Sequence, residues 1–109
     1  MDASVNRRGT VRRSPRGKPQ VECRLGTTGL GHNIAQRLVD ISRTGASLIV
    51  AQEVPAETEV EVALTTLGRP KPFRALAMVV RCVPAEEGKF TLCVHFERLL
   101  DYATWQLLT

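Results

Sequence analysis

The chain has 109 residues, of which 43% are hydrophobic and only 5% aromatic, and this predicts one soluble globular domain with a core of aliphatic side chains. The sequence has no apolar run long enough to cross a membrane, and its basic first residues are not followed by the apolar stretch of a secretory signal, so we expect no membrane insertion. Three cysteines, an odd number, argue against a disulfide framework and favour the reducing cytoplasm.

The net charge of +4 is concentrated in the first part of the chain. Residues 1–24 contain seven basic and two acidic side chains, a net of +5, so the remainder carries −1 of the total of +4. A basic segment without apolar periodicity predicts either a solvated tail or contact with an anionic partner such as nucleic acid, anionic lipid or a phosphorylated small molecule. Prolines and a glycine in residues 14–19 cannot continue a helix or a central strand. We therefore expect a flexible basic N-terminal arm with its hinge, residues 1–19, and a single folded domain, residues 20–109.

The folded domain is predicted to contain six short strands, because apolar and polar residues alternate with the period of two that is typical of half-buried strands. The fifth is apolar on both sides apart from Arg74 and Arg81, so we expect it to be covered on both faces. The sixth should bury its two phenylalanines, Leu92 and Val94 on one side. The pattern predicts a mainly β fold, a six-stranded antiparallel barrel. The predicted strands are Val21–Leu25, Asn33–Ile41, Ala46–Val50, Glu59–Leu64, Phe73–Val83 and Phe90–Phe96.

The connections and the C-terminal end complete the predicted architecture. The glycine-rich segment Gly26–Gly31 lacks the lysine and the following helix of a phosphate-binding loop, and we interpret it as a hairpin connection. In the second strand, Val39 and Ile41 should face the core and Asp40 the opposite side. From about Leu99, apolar residues recur with helical spacing, which predicts an amphipathic C-terminal helix packed on one mouth of the barrel. Its inward stripe would be Leu100, Ala103, Thr104, Leu107 and Leu108.

Two polar motifs lie outside the core pattern. Arg8 and Arg12 form R-x-x-x-R in the basic arm, and Asp40, Ser42 and Gly45 form D-x-S-x-x-G where the second strand turns into the third. Alone, the second motif could be only a well-made turn, because Asp and Ser bond local backbone and Gly tolerates tight geometry. Together, in this order and about thirty residues apart, the motifs resemble the PilZ family of small β-barrels, which bind the bacterial second messenger cyclic di-GMP. The resemblance covers nearly the whole chain.

The resemblance implies a cyclic di-GMP site and gives each motif residue a role. Arg8 and Arg12 match the family's ligand arginines, whose planar guanidinium groups suit the O6 and N7 acceptors of guanine and the phosphate oxygens. Asp40 matches the carboxylate that accepts the N–H donors of guanine's other edge. Ser42 would donate to phosphate or base, and Gly45 would let backbone approach the ligand where a Cβ would intrude. The arm would then close over the ligand.

Arg7 places a third guanidinium beside this pair. Two stacked cyclic di-GMP molecules carry about four negative charges, so an extra cation should favour a bound ligand dimer over a single molecule. The alternative is that Arg7 points into solvent. Because one domain of this size leaves no room for a second, we expect the signal to reach a downstream protein partner in trans. Apart from the ligand, no cofactor is expected.

Other functions fit the residues less well. A PilZ-type adaptor that has lost nucleotide binding is one alternative, since Gly9–Val11 between the arginines is small and ordering it costs entropy. A basic β-barrel that binds RNA or DNA is another, but residues 21–50 carry no aromatic side chain on which bases could stack. We expect no enzyme, because Ser42 has no nucleophile-elbow context and no evident histidine base.

The remaining histidines and cysteines suggest no further chemistry. His32 and His95 have no cysteine or carboxylate at the spacing of metal ligands, so we expect no metal site. Cys82 and Cys93 could be neighbours across the last hairpin, and in a reducing compartment two thiols are the better interpretation than a redox pair.

Overall fold

A computed structural model of the chain describes residues 19–66 and 71–108. It contains six strands, one short 3-10 turn at Glu86–Gly88 and one α-helix. Within these ranges, no helix is both long and apolar enough to span a bilayer. The strands are β1 (Gln20–Leu25), β2 (Ala35–Ile41), β3 (Gly45–Val50), β4 (Glu59–Thr65), β5 (Phe73–Pro84) and β6 (Phe90–Phe96), and the helix is α1 (Tyr102–Leu108).

The strands form one antiparallel sheet in the order β1-β4-β5-β6-β3-β2, which curls into a nearly closed barrel. The predicted six-stranded barrel is therefore confirmed. The segment Gly26–Gly31 is not a hairpin loop, because β1 and β2 lie at opposite ends of the sheet order and not in a paired ladder. They approach only at the seam of the barrel, where Ile34 N donates to Cys23 O at 2.9 Å and Cys23 N donates to Asn33 Oδ1 at 2.8 Å.

The barrel interior is filled by aliphatic side chains, as the composition predicts. Alternate residues of each strand point inward and are almost fully buried, and each buried Val, Leu or Ile side chain contributes roughly 1.5–3 kcal/mol relative to exposure. The predicted inward sides of β4 and β6 are confirmed. The core includes Cys23, Ile41, Leu48, Val50, Val60, Val62, Leu64, Val79, Leu92, Val94, Phe96 and Leu100.

A β-bulge corrects the predicted facing of β2. The register passes from Leu38 opposite Leu48 to Asp40 opposite Ser47, so Val39 is an extra residue without a partner. The bulge allows Leu38 and Ile41, three residues apart, both to be buried, while Val39 is only half-buried. The expectation that Val39 is a core residue is therefore wrong, because strict alternation does not survive a bulge.

A bulge at Val80 and an exposed outer face correct the interpretation of β5. The register passes from Val79 opposite Val94 to Arg81 opposite Cys93, which leaves Val80 unpaired and 61% exposed. Leu76 and Met78 on the same outer side are 36% and 44% exposed. The strand is thus covered on one face only, because a barrel buries its concave side and no described element packs on the outside of β5.

The C-terminal helix begins at Tyr102, three residues later than predicted. Asp101 caps it: the Asp101 carboxylate accepts the backbone N–H of Thr104 at 2.7 Å, and its carbonyl accepts that of Trp105 at 3.0 Å. Leu100, just before the cap, and Thr104 are buried, whereas Ala103 is exposed and is not part of the packed stripe. The predicted contacts of the Leu107 and Leu108 side chains lie outside what the structure describes.

Candidate functional site

The turn between β2 and β3 is held together by the hydroxyl group of Ser42. Ser42 Oγ accepts the backbone N–H groups of Thr44 at 3.3 Å and Gly45 at 3.2 Å, and Ser42 N donates to Gly45 O at 2.8 Å. The residue is only 1% exposed. The Ser42 side chain thus satisfies the backbone N–H groups of a tight turn, so Ser42 has a structural role that does not depend on a ligand.

Gly45 is required by the contact between β3 and β6. A Cβ at this position would come within 3.0 Å of the carbonyl oxygen of Val94, closer than real Cβ atoms approach. The backbone of Gly45 has an ordinary φ, so the constraint is the space beside β6 and not the conformation of the turn. The D-x-S-x-x-G glycine thus allows the turn to lie directly against the neighbouring strand.

Arg43, inside the same motif, joins the turn to the chain that leads into α1. Arg43 Nε donates to Leu100 O at 2.9 Å, and Leu100 N donates to Arg43 O at 2.9 Å. The Arg43 guanidinium also lies 6.0 Å from the centre of the Tyr102 ring, the outer limit for a cation–π contact. The next residue, Thr44, accepts the N–H of Phe96 at 2.7 Å. The turn therefore contacts both β6 and the segment before the helix.

Asp40 lies on the outer face of the barrel, half-buried, in register with Ser47 of β3. Ser47 is in turn opposite Cys93 of β6, and Cys93 is opposite Arg81 of β5. We call these four residues the outer row. Ser47 Oγ lies 3.5 Å from Cys93 Sγ, and Arg81 Nη2 donates to Cys93 Sγ at 3.8 Å, so neighbouring members of the row are in contact from β3 to β5.

A cleft of about 770 Å³ opens at the barrel seam between β1 and β2. Its walls come from the start of β1 and from β2, between Pro19 and Glu22 on one side and between Ala35 and Val39 on the other. Pro19 is the residue at which the basic arm joins the barrel. Because Arg12 precedes Pro19 by seven residues, the connecting chain can span at most about 25 Å. Pro19, where the arm joins the barrel, and Val39, the residue before Asp40, thus line the same cleft.

The structure brings Asp40, Ser42 and Gly45 together around one turn. Arg7, Arg8 and Arg12 lie outside the described residues, so their roles and the proposed division at residue 19 stay predictions. Sequence reasoning missed Arg43, Ser47 and Arg81 as neighbours of the motif. The only sequence signal for Arg81 was its position as a charged residue within an apolar strand. Ser47 could be placed next to Asp40 and Cys93 only from the register of the strands.

The cysteines and histidines occupy separate places. Cys82 lies opposite Leu92 and not opposite Cys93, and all three cysteines are free thiols. Burial raises the pKa of the Cys23 thiol to about 12, although nearby Arg24 opposes the shift, so Cys23 stays protonated and unreactive near neutral pH. His95 is exposed on the outer side of β6. In the described part of the chain, no three His, Cys, Asp or Glu side chains cluster as metal ligands would.

The fold and the polar turn define a class of protein: a small antiparallel β-barrel that carries a candidate binding face on its outer side. The family model described as PilZ domain matches residues 10–108, nearly the whole chain, and the protein belongs to the PilZ domain family. The match includes Arg12, Asp40, Ser42 and Gly45 and begins two residues after Arg8. The comparisons found no matching curated protein and no matching solved structure. PilZ domains are in general cyclic di-GMP-binding and adaptor domains and not enzymes.

The Gly45 contact predicts a large effect of Gly45→Ala on stability. The added methyl group must displace the β6 backbone at Val94, and such overpacking costs about 1–3 kcal/mol or more. Urea denaturation should show a lower free energy of unfolding. Gly31→Ala is the matched control, because a Cβ there meets its nearest neighbour, Leu25 O, at an ordinary 3.5 Å. Equal stability of Gly45→Ala and Gly31→Ala would contradict a structural role for Gly45.

Proposed function

We propose that this domain is a cyclic di-GMP sensor that binds the second messenger between its basic arm and the outer face of the barrel and signals to a partner protein. The observation that carries the proposal is the position of Asp40, which β2 holds on the outer face directly after Val39, a lining residue of the same cleft as Pro19. This position supports a site shared by Asp40 and the arm.

The chemistry of the ligand suits these groups. Guanine presents two N–H donors on its Watson–Crick edge, and a carboxylate fixed on a sheet is their natural acceptor, which is the role proposed for Asp40. Guanine's O6 and N7 and the phosphates need cations with paired donors, which Arg8 and Arg12 would supply from the arm. Adenine presents an acceptor where guanine has a donor, so Asp40 also provides a basis for selectivity.

Ser42 would contribute chiefly by fixing the turn. Its hydroxyl is buried and already accepts two backbone N–H groups, so a contact to phosphate or base in the bound state would require the turn to change. The Arg43 contacts supply a path for that change, because a turn that moves must also move Leu100 and the start of α1. We propose that the partner protein responds to this movement and to closure of the arm.

The salt dependence of binding distinguishes a cyclic di-GMP sensor from an RNA- or DNA-binding protein. The phenylalanines of the described strands pack against the core, so an RNA- or DNA-binding surface on this barrel would depend mainly on charge. A binder that neutralises many phosphates loses affinity steeply as salt rises, whereas a ligand with two phosphates shows a shallow slope. Titrations with cyclic di-GMP and with a single-stranded oligonucleotide at several salt concentrations compare the two.

We predict that Arg8→Ala and Arg12→Ala each weaken cyclic di-GMP binding by about 1–3 kcal/mol, the usual contribution of a bidentate arginine contact to guanine. Isothermal titration calorimetry measures the loss, and the circular dichroism spectrum should stay that of the parent. Arg16→Ala is the control, since it removes one positive charge from the same arm outside the motif. If Arg8→Ala and Arg12→Ala both bound cyclic di-GMP like the parent, the proposed role of these two arginines would be wrong.

Asp40→Asn should weaken cyclic di-GMP and relax base selectivity, because the amide replaces one acceptor oxygen with a donor that opposes guanine's N–H groups. The measurement is the ratio of the Kd values for cyclic di-AMP and cyclic di-GMP, which should fall in the variant. Glu53→Gln removes one negative charge from an exposed position elsewhere and should leave the ratio unchanged. An unaltered ratio in Asp40→Asn would remove Asp40 from base recognition.

Ligand stoichiometry tests the role of Arg7. With Arg7 present we expect two nucleotides per chain, because a third guanidinium offsets the charge of a ligand dimer, and with Arg7→Leu a value nearer one. Calorimetry at concentrations well above Kd gives the number directly. Saturation of the parent protein at one nucleotide per chain would contradict this role while leaving the Asp40 and Arg12 assignments intact.

A further inference from the structure

The β-bulges at Val39 and Val80 have a common effect on the outer face of the barrel. In β2, the bulge at Val39 allows Asp40 to stand outside although Leu38 and Ile41 are both buried. In β5, the bulge at Val80 likewise turns Arg81 outward, opposite Cys93, while the flanking Val79 is in the core. Asp40 and Arg81 therefore lie at the two ends of one row across four neighbouring strands.

The middle of the row carries no bulky side chain. Ser47 and Cys93, which lie between its ends, are small side chains in contact with each other. Three strand spacings separate β2 from β5, so the two backbones are about 14 Å apart. A ligand bound by Asp40 at one end must extend over Ser47 and Cys93 to reach Arg81. A compact mononucleotide is too small to contact both ends of the row, whereas a molecule with two bases is large enough to do so.

Arg81 differs from the other arginines of its surroundings. Arg74 on the same strand forms an ion pair with Glu61, with Nη1 and Oε1 3.7 Å apart. Arg24 on β1 pairs with Glu22, with Nη1 and Oε1 2.6 Å apart. Arg81 is exposed and forms no ion pair with a carboxylate in residues 19–66 and 71–108, and its Nη2 donates to the sulfur of Cys93 at 3.8 Å. Its guanidinium thus retains donors for a planar acceptor pair such as O6 and N7 of guanine.

We propose that Arg81 is a further ligand-binding and specificity residue, which takes the O6 and N7 edge of the second guanine of a cyclic dinucleotide whose first guanine is read by Asp40. This inference rests on the proposed function and adds to it a second point of base recognition, contributed by β5. The ligand then lies across β3 and β6, and both of its bases are read from one face of the sheet.

The first test measures affinity and selectivity by calorimetry, using cyclic di-GMP and cyclic GMP–AMP, in which one guanine is replaced by adenine. Arg81→Ala should bind cyclic di-GMP roughly 5- to 150-fold more weakly. It should also lose much of the parent's preference for cyclic di-GMP over the mixed dinucleotide, because adenine lacks O6. Arg81→Lys keeps the charge but not the fork of donors and should resemble Arg81→Ala in selectivity.

Arg74→Ala is the matched control, an exposed outer arginine of the same strand that is already paired with Glu61, and it should bind within about twofold of the parent. Affinity and selectivity of Arg81→Ala equal to the parent's would overturn the proposal. Equal weakening for both dinucleotides would also overturn it, since that result indicates a contact to phosphate. A parent protein that binds neither dinucleotide would instead overturn the proposed function itself.

A second test locates the ligand by protection of Cys93. Cys93 is half-buried on the outer row, whereas Cys82 packs against the core and Cys23 is buried with a raised pKa. Saturating cyclic di-GMP should slow alkylation of Cys93 by iodoacetamide, measured by peptide mass spectrometry, relative to Cys82 in the same sample. If Arg81→Ala lost affinity but the ligand did not protect Cys93 in the parent, the substitution would be acting from a distance, and the proposal would be wrong.

Discussion

The close contact between Gly45 and the backbone of β6 is the constraint on which the rest of the site depends. It sets how tightly β3 lies against β6 at the start of their ladder, and hence the register that places Ser47 opposite Cys93. The same residue ends a turn whose other end is secured by the buried hydroxyl of Ser42. A side chain at position 45 would separate the two strands at the point where the turn, the outer row and the C-terminal segment meet.

The bulges reconcile a full core with charged groups on the surface. A strand with a strict period of two could not bury both Leu38 and Ile41, nor keep both Val79 and Arg81 in their observed environments, because an ionised side chain pointing into an aliphatic barrel is strongly disfavoured. The extra residues Val39 in β2 and Val80 in β5 remove the conflict, and local ladder hydrogen bonds are lost there. The candidate binding face is thus a consequence of how β2 and β5 depart from regularity.

The reciprocal hydrogen bonds between Arg43 and Leu100 give the turn a mechanical connection to the end of the chain. Leu100 is fully buried in the core, and Asp101 beside it caps α1, so these contacts form one continuous unit from the turn to the helix. These hydrogen bonds couple the turn to a surface that includes the exposed Tyr102. The proposed signal to a partner protein rests on this coupling.

The sequence by itself determined the number and order of the strands, the inward sides of β4 and β6 and the position of the polar turn, because these depend on local alternation and on turn chemistry. It also held the signal for the later helix start, since Asp101 is a favourable N-cap, although the apolar stripe alone suggested Leu99. Tertiary structure decided the remainder. The bulge at Val39, the exposed outer side of β5, the closure of β1 on β2 at the seam and the outer row from Asp40 to Arg81 all depend on which strands pair and in what register. The bulges lie in hairpins between neighbouring strands, but β1–β4 and β3–β6 pair residues far apart in the chain, such as Gln20 with Thr65 and Gly45 with His95. No local pattern in the chain encodes those long-range pairings.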